Sequence, residues 1–353
     1  VTPDAQETDA QETDAHETDA QQTATQATDT QVADGHVSDG PMADTRVADP
    51  AAPAAINGIL VVAKEPGPTS HDIVALVRRL TGVKRVGHGG TLDPFAAGVL
   101  PVFLGHATRL VEYHMADEKE YRALVCFGAR STTDDLDGEL TPTGSAPTRD
   151  AVEEALAGFR GEIEQVPPDY SAVRVAGRKA YELARHGEKP ALRPRRVTIH
   201  RLEMNSWDAT DPERPVVTVE VRCSAGTYIR AIARDLGEKL GSGAYLGALT
   251  RTASGPFTLD QARPLDEVRS ALAAGRAADL LLPMDTGLDS YPVMTIGAQD
   301  LVSLARGQQL RRGDDPGPEG LVRVVDETGR LVAIARAGGG LLKPEKVFVS
   351  VGG

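Results

Sequence analysis

The first fifty residues repeat with a period of five, "QETDA QETDA HETDA" and onward in degenerate form, with Asp at every fifth position except Ala24. A five-residue period matches neither the helical turn nor the pleat of a strand, so it offers no face to bury. Whatever core this chain builds must come from later residues. Residues 1–55 hold nine Asp, three Glu and one Arg, and read as a disordered acidic tail. The tail also changes the meaning of the net charge. Of −13 over 353 residues, −11 lies in the tail, which leaves the body at −2. A nearly neutral body does not exclude a polyanionic partner. The body, expected to begin near Ile56, is long enough for two domains. Cys126 and Cys223 each lie in an apolar, strand-like run, and give neither a disulfide framework nor a zinc pattern. No apolar run approaches the roughly 20 residues of a bilayer span, and none has the form of a signal-peptide core. No membrane partner is expected, and a reducing cytoplasm is the expected compartment.

Short, mixed elements follow. "GILVVAK" (58–64) reads as a buried strand and "SHDIVALVRRL" (70–80) as a helix with Ile73, Val74, Val77 and Leu80 on one face. "EYRALVCFG" (120–128) reads as a strand, and "TRDAVEEALAGF" (148–159) as a helix capped by Thr148. "RRVTIHRLEMNSW" and "PVVTVEVRCSAG" alternate as antiparallel strands do, and a helix is expected over 227–240. This order predicts an α+β domain over 56–285 with a mixed, mainly antiparallel sheet. From 289 to 353 two alternating runs joined by "DETG" predict a hairpin in a small β-barrel module. Eight basic and eight acidic residues there give no charge signal for RNA.

The segment "RVGHGGTLDPFAAGVLPVFLG" (85–105) surrounds Asp93 with Gly87, Gly89, Gly90 and Gly98. Two readings are open. Asp93 caps a short helix running from Pro94 to a stop at Gly98, or it is a chemical group beside which the glycines open space for a ligand. No second acid stands nearby for a two-carboxylate glycosidase, and no metal spacing is present. A chemical Asp93 would act alone, as nucleophile or base, without metal.

In "CSAGTYIRAIARDLGEKL" Thr227 reads as an N-cap, which makes Arg230 the third helical residue. A cation in the first turn opposes the helix dipole by about 0.3–1 kcal/mol. Either it is a tolerated surface residue or it pairs with a buried carboxylate. A third segment, 167–196, holds eight Lys/Arg against three acids, with Tyr170 and Tyr181 interleaved. Arg78, Arg79, Lys84 and Arg85 form a second basic cluster beside the Asp93 loop. Two such runs are either solvated faces or a nucleic-acid surface.

These motifs, taken in order, resemble the bacterial tRNA pseudouridine-55 synthases of the TruB type. "GHGGTLDPFAAGVLPVFLG" is similar to that family's catalytic motif, "KEYRAL" to its tyrosine motif and "CSAGTYIRAIARDLG" to its arginine motif. "PPDYSAVRVAGRKAYELAR" resembles its RNA-binding thumb, and the C-terminal module resembles its PUA domain. The resemblance implies isomerisation of uridine 55 in the T-loop of tRNA without cofactor. The C1′–N1 bond would break, and the base would rejoin through C5. It implies Asp93, Tyr121 and Arg230 as catalytic residues, with Tyr121 stacked on a flipped uracil and Arg230 paired to Asp93. Substrate contacts would come from His88, Tyr228 and Lys64, and from Arg174, Arg178 and Lys179 of the thumb. The glycines would let RNA approach Asp93. The enzyme would act as a monomer, without guide RNA. One departure is visible: the first motif reads "AKEPG", with Ala63 and Glu65 where the family pattern has Asp and Pro. The rival readings are a tRNA-binding folding chaperone without activity and a guide-RNA-dependent synthase.

Overall fold

The computed structural model describes residues 56–312 and 317–349, so the acidic repeat lies outside the described residues. Continuous apolar runs make strands covered on both faces. β1 (Gly58–Lys64) has six of its seven residues buried. α1 (Ser70–Thr81) follows, started by a capping box in which Asp72 N–H donates to Thr69 and Thr69 N–H to the Asp72 carboxylate. It ends on Gly82 at φ 68°, a left-handed stop that favours glycine. β2 (Val86–His88), β3 (Ala97–Leu104), β4 (Lys119–Phe127), α2 (Arg149–Ala157) and β5 (Gly161–Gln165) come next. The basic segment forms a hairpin of Arg174–Val175 with Arg178–Lys179 and then α3 (Ala180–Arg185). β6 (Arg195–Asp208), β7 (Val216–Cys223), α4 (Ile229–Lys239), β8 (Ala244–Ser254), β9 (Phe257–Thr258), β10 (Arg263–Pro264) and α5 (Leu265–Ala273) complete the large unit.

Ten strands form one sheet in the order β10-β1-β3-β8-β4-β7-β6-β5, with β2 on β3 and β9 on β8. All pairings are antiparallel except β1–β10 and β3–β8, so the mixed, mainly antiparallel sheet is as expected. β4 shows why antiparallel strands alternate. Ala123, Val125 and Phe127 face the core, while Glu120 and Arg122 face solvent and pair with Arg201, Arg222 and Glu220 of β6 and β7. α2 and α4 contact each other, α2 packing against β6 and α4 against β4 and β8; α1 and α5 contact each other, α5 against β1.

A second, five-stranded sheet has the PUA-like form expected of the C-terminal module. Its order is β11-β13-β14-β15-β12, where β11 is Val293–Thr295, β12 Leu310–Arg311, β13 Gly320–Val325, β14 Leu331–Gly338 and β15 Leu341–Val347. It has its own core around Val322, Val324, Val332 and Leu342. Leu110 and Leu288 join Leu331, Ile334 and Phe348 in a cluster shared with the large unit.

Two local expectations are corrected. Asp93 does not cap a helix: Ala96 N–H closes a turn on Asp93 C=O at 3.1 Å, and β3 begins at Ala97. The all-apolar "AGVLPVFL" is worth more between neighbouring strands than a three-residue helix would be. Gly98 is a packing residue of that strand rather than a helix stop. It has φ 108°, and a Cβ would sit 2.1 Å from the carbonyl oxygen of Arg251. Thr227 is not the N-cap either. Its hydroxyl donates to Ser224 C=O at 2.9 Å, Tyr228 takes the cap position, and Arg230 is the second helical residue.

Gly98→Ala is expected to lower stability in urea unfolding by about 2–4 kcal/mol, from left-handed strain and overpacking together. Gly87→Ala, where an added Cβ meets nothing within 4 Å, is expected to change it by less than about 1 kcal/mol.

Candidate active site

Asp93 stands on the turn between β2 and β3, its side chain one-third exposed. The turn is held from both sides by buried cations. Lys64, the last residue of β1, is 1% exposed and donates to the carbonyls of Glu65 (3.0 Å), Pro94 (3.0 Å) and Ala96 (2.6 Å). Arg251, on β8 and also 1% exposed, donates to the carbonyls of Val99 (2.8 Å), Gly90 (3.1 Å) and Thr91 (3.4 Å). Ser70, first in α1, both donates to Leu92 C=O (3.1 Å) and accepts from Leu92 N–H (2.9 Å). Burial lowers the Lys64 ammonium to about 8, opposed by attraction to Asp93. Burial also lowers the Arg251 guanidinium, opposed by its contact with Tyr121.

Arg230 is buried and reaches three segments. Its Nε lies 3.0 Å from Asp93 Oδ2, an ion pair by distance in which the N–H does not point along the contact. Nη1 meets Asp135 Oδ2 at 3.3 Å and donates to Thr133 C=O at 3.0 Å; Nη2 donates to Tyr170 C=O at 2.9 Å. The first-turn cation thus has two carboxylates to offset the dipole. One turn on, Arg234 pairs with Asp134 at 3.1 Å and donates to Val166 C=O at 2.8 Å. Asp134 sits at φ 62°, and burial raises its carboxyl to about 6 against the attraction of Arg234 and Arg230. Burial raises the Asp135 carboxyl as well.

Tyr121 lies on β4 directly across from Arg251 on β8. Desolvation raises its phenol pKa, and the nearby Arg251 guanidinium opposes that rise. His88 ends β2. Its Nδ1 accepts Gly90 N–H at 3.3 Å, its ring meets His71 edge-on at 5.5 Å, and burial lowers its pKa to about 4. Tyr228 is bracketed by Gln165, which accepts its N–H at 2.8 Å and donates to its C=O at 3.0 Å. The Arg195 guanidinium lies 4.4 Å from the centre of the Tyr228 ring.

Asp93 and Arg230 therefore meet directly, and Tyr121 stands across the sheet from Arg251, whose guanidinium holds the Asp93 turn. Lys64 is a correction. Expected at the substrate, it is buried under the turn, its three short bonds spent on backbone. Arg174, Arg178 and Lys179 form their contacts within the basic segment, to Gly177 C=O, Glu188 and Tyr181. What reaches the centre from that segment is its root, Tyr170.

The sequence reading missed Arg251, Asp135 and the Arg234–Asp134 pair. Arg251 occupies a core-facing position of an alternating strand, which is a readable signal. Register shifts at Leu246/Ala248 and Arg251/Ala253 break the count that would reveal it. Asp135 lies in "TTDDLDGE", which has the composition of any solvated turn.

Asp93 thus stands on a glycine-bordered turn of a long mixed sheet, held by a buried arginine that also meets Asp135. The architecture is similar to a solved H/ACA RNP bound to a substrate RNA containing 2′-deoxyuridine (TM-score 0.61, 26% identity, covering 83% of this chain and 85% of that one). It is similar also to a Cbf5-Nop10-Gar1 complex (TM-score 0.62, 27% identity, 83% and 85%). Residues 78–229 match the model for the N-terminal domain of TruB family pseudouridylate synthases. Residues 230–289 match that for the tRNA pseudouridylate synthase B C-terminal domain. The chain belongs to the TruB family of pseudouridylate synthases. Relatives named tRNA pseudouridine synthase B include that of Bradyrhizobium diazoefficiens, 44% identical over 83% of this chain and 86% of that protein. That of Symbiobacterium thermophilum is 48% identical over 72% and 84%.

His88 generates a pH prediction. Its folded pKa of about 4 lies below the ordinary 6.5, so between those values the unfolded chain binds more protons. Stability contributed by the neutral ring is complete above about pH 6.5 and is lost as pH falls toward 4, by about 3 kcal/mol in all. Urea unfolding at pH 7 and pH 4.5 is expected to show His88→Gln losing about 2 kcal/mol less than the parent protein on acidification.

Proposed function

We propose that this protein isomerises uridine 55 in the T-loop of tRNA to pseudouridine. The observation that carries the reading is the part-open Asp93 carboxylate, paired to buried Arg230 with the Tyr121 phenol alongside, in a chain of the TruB family. Relatives named for tRNA pseudouridine synthesis, similar over most of their own length, support tRNA as the substrate. A uridine flipped from its loop would lie with its base on Tyr121 and its ribose–base linkage at Asp93. Asp93 acts as nucleophile or base. The C1′–N1 bond breaks, the uracil turns and C1′–C5 forms; C5 gives up its proton and N1 ends protonated. Product and substrate are isomers, so no cofactor enters the balance. His88 and Tyr228 border the uridine, while Arg174, Arg178 and Lys179 meet the phosphate backbone from the exposed basic segment. Lys64 acts through the Asp93 turn.

The likeness to a Cbf5-containing assembly makes guide-RNA dependence the second reading, and the 44% identity to a relative named tRNA pseudouridine synthase B, against 27% to that assembly, favours the first. Carbodiimide primer extension on an unmodified tRNA transcript, with no guide RNA added, decides between them. A stop reporting position 55 is expected with the parent protein. Asp93→Ala is expected to abolish it while tRNA affinity stays within about tenfold, or 1.4 kcal/mol. Arg230→Lys is expected to slow single-turnover conversion about 100-fold or more, since lysine cannot bridge Asp93, Asp135 and two carbonyls at once. Binding without any stop would instead favour a folding chaperone.

A further inference from the structure

Arg251 is the largest fully buried side chain, and neither the sequence motifs nor the mechanism above gives it a role. We propose that Arg251 is a positioning residue for the isomerisation, tying the Asp93 turn to the strand that carries Tyr121, so that carboxylate and phenol face one uridine in fixed register. The inference rests on the function proposed above.

Three observations converge. Arg251 pairs with Gly98 of β3 on one side and with Tyr121 of β4 on the other, so its backbone already joins the strands that carry the two groups. Its guanidinium then grips Gly90, Thr91 and Val99, residues on either side of Asp93. No carboxylate pairs with it among the described residues, and burying a cation without one is costly. Holding backbone carbonyls does not by itself require charge, because a neutral amide also donates two N–H bonds.

The guanidinium charge also reaches Tyr121. Tyr121 faces Arg251 from β8, Cys223 from β7 and Asp93 from the turn. Of these, Arg251 alone favours negative charge on the phenol oxygen.

The test is a double-mutant cycle on single-turnover pseudouridine formation at saturating tRNA, using Arg251→Gln, Tyr121→Phe and the combination, with tRNA affinity measured in parallel. Arg251→Gln is expected to slow conversion about 100-fold with affinity changed less than about threefold. In the Tyr121→Phe background the same change is expected to cost less than about tenfold. Arg251→Lys, which keeps a buried cation, is expected to recover part of the loss, and it serves in the same cycle if the Gln variant lacks a cooperative urea transition. Strictly multiplicative losses, or a loss confined to affinity, would overturn the proposal and leave Arg251 as support for the sheet. A parent protein that forms no pseudouridine would instead overturn the function itself.

Discussion

The site depends on a turn whose carbonyls are gripped by two buried cations. A loop rich in glycine is entropically expensive to hold in one shape, and side-chain packing alone does not hold "HGGTLDP", which has few side chains to pack. Lys64 and Arg251 solve this electrostatically. Their charges are solvated by six backbone oxygens in place of water. Because five of those oxygens, all but that of Glu65, belong to the stretches flanking Asp93, solvating the cations and shaping the turn are the same event. The arrangement also surrounds one part-exposed carboxylate with the positive charges of Lys64, Arg251 and Arg230. The departure at Ala63 and Glu65 spares this arrangement, because Glu65 contributes through its carbonyl, which any residue supplies.

Arg230 extends the scheme beyond the turn. It lies at the start of a helix whose other face is core, so it cannot move without α4. From there it reaches Asp93, the acidic turn at 133–135 and Tyr170, where the basic segment begins. Arg234, on the same helix face, fastens the acidic turn again through Asp134. A shift at the root of the basic segment is therefore felt at the guanidinium that faces Asp93. Side chains that are chemically remote from the reaction hold the distances on which it depends.

Much of this was legible before any coordinates. A continuous apolar run placed β1, and period-two and period-3.6 patterns placed α1, β4, α2 and β6 within a residue or two. Asp93 and Arg230 stood out for local reasons, an acid among glycines and a cation against a dipole, and the resemblance joined them. The failures were also physical. The turn after Asp93 read as a helix because Asp-Pro starts helices, and only the neighbouring strands decide otherwise. Thr227 read as a cap because its rival partner, Ser224 C=O, is set by a turn that sequence does not display. Lys64 stood as a substrate contact through the resemblance alone, and nothing local says that three carbonyls await it. Arg251 and Asp135 act through contacts far away in sequence, which no local pattern records.

That remoteness has a consequence for how the molecule comes into being. The contacts that define the site join Lys64 to residues 30 positions later, and Arg251 to residues about 160 positions earlier. Loops of that length close late, after local helices and hairpins have formed. A chain emerging from the ribosome can therefore build β1, α1 and even the Asp93 segment without holding the Asp93 turn in its final shape. Until β8 is synthesised and seated, the turn lacks one of its two clamps. The geometry of the site is complete only with the near-complete body.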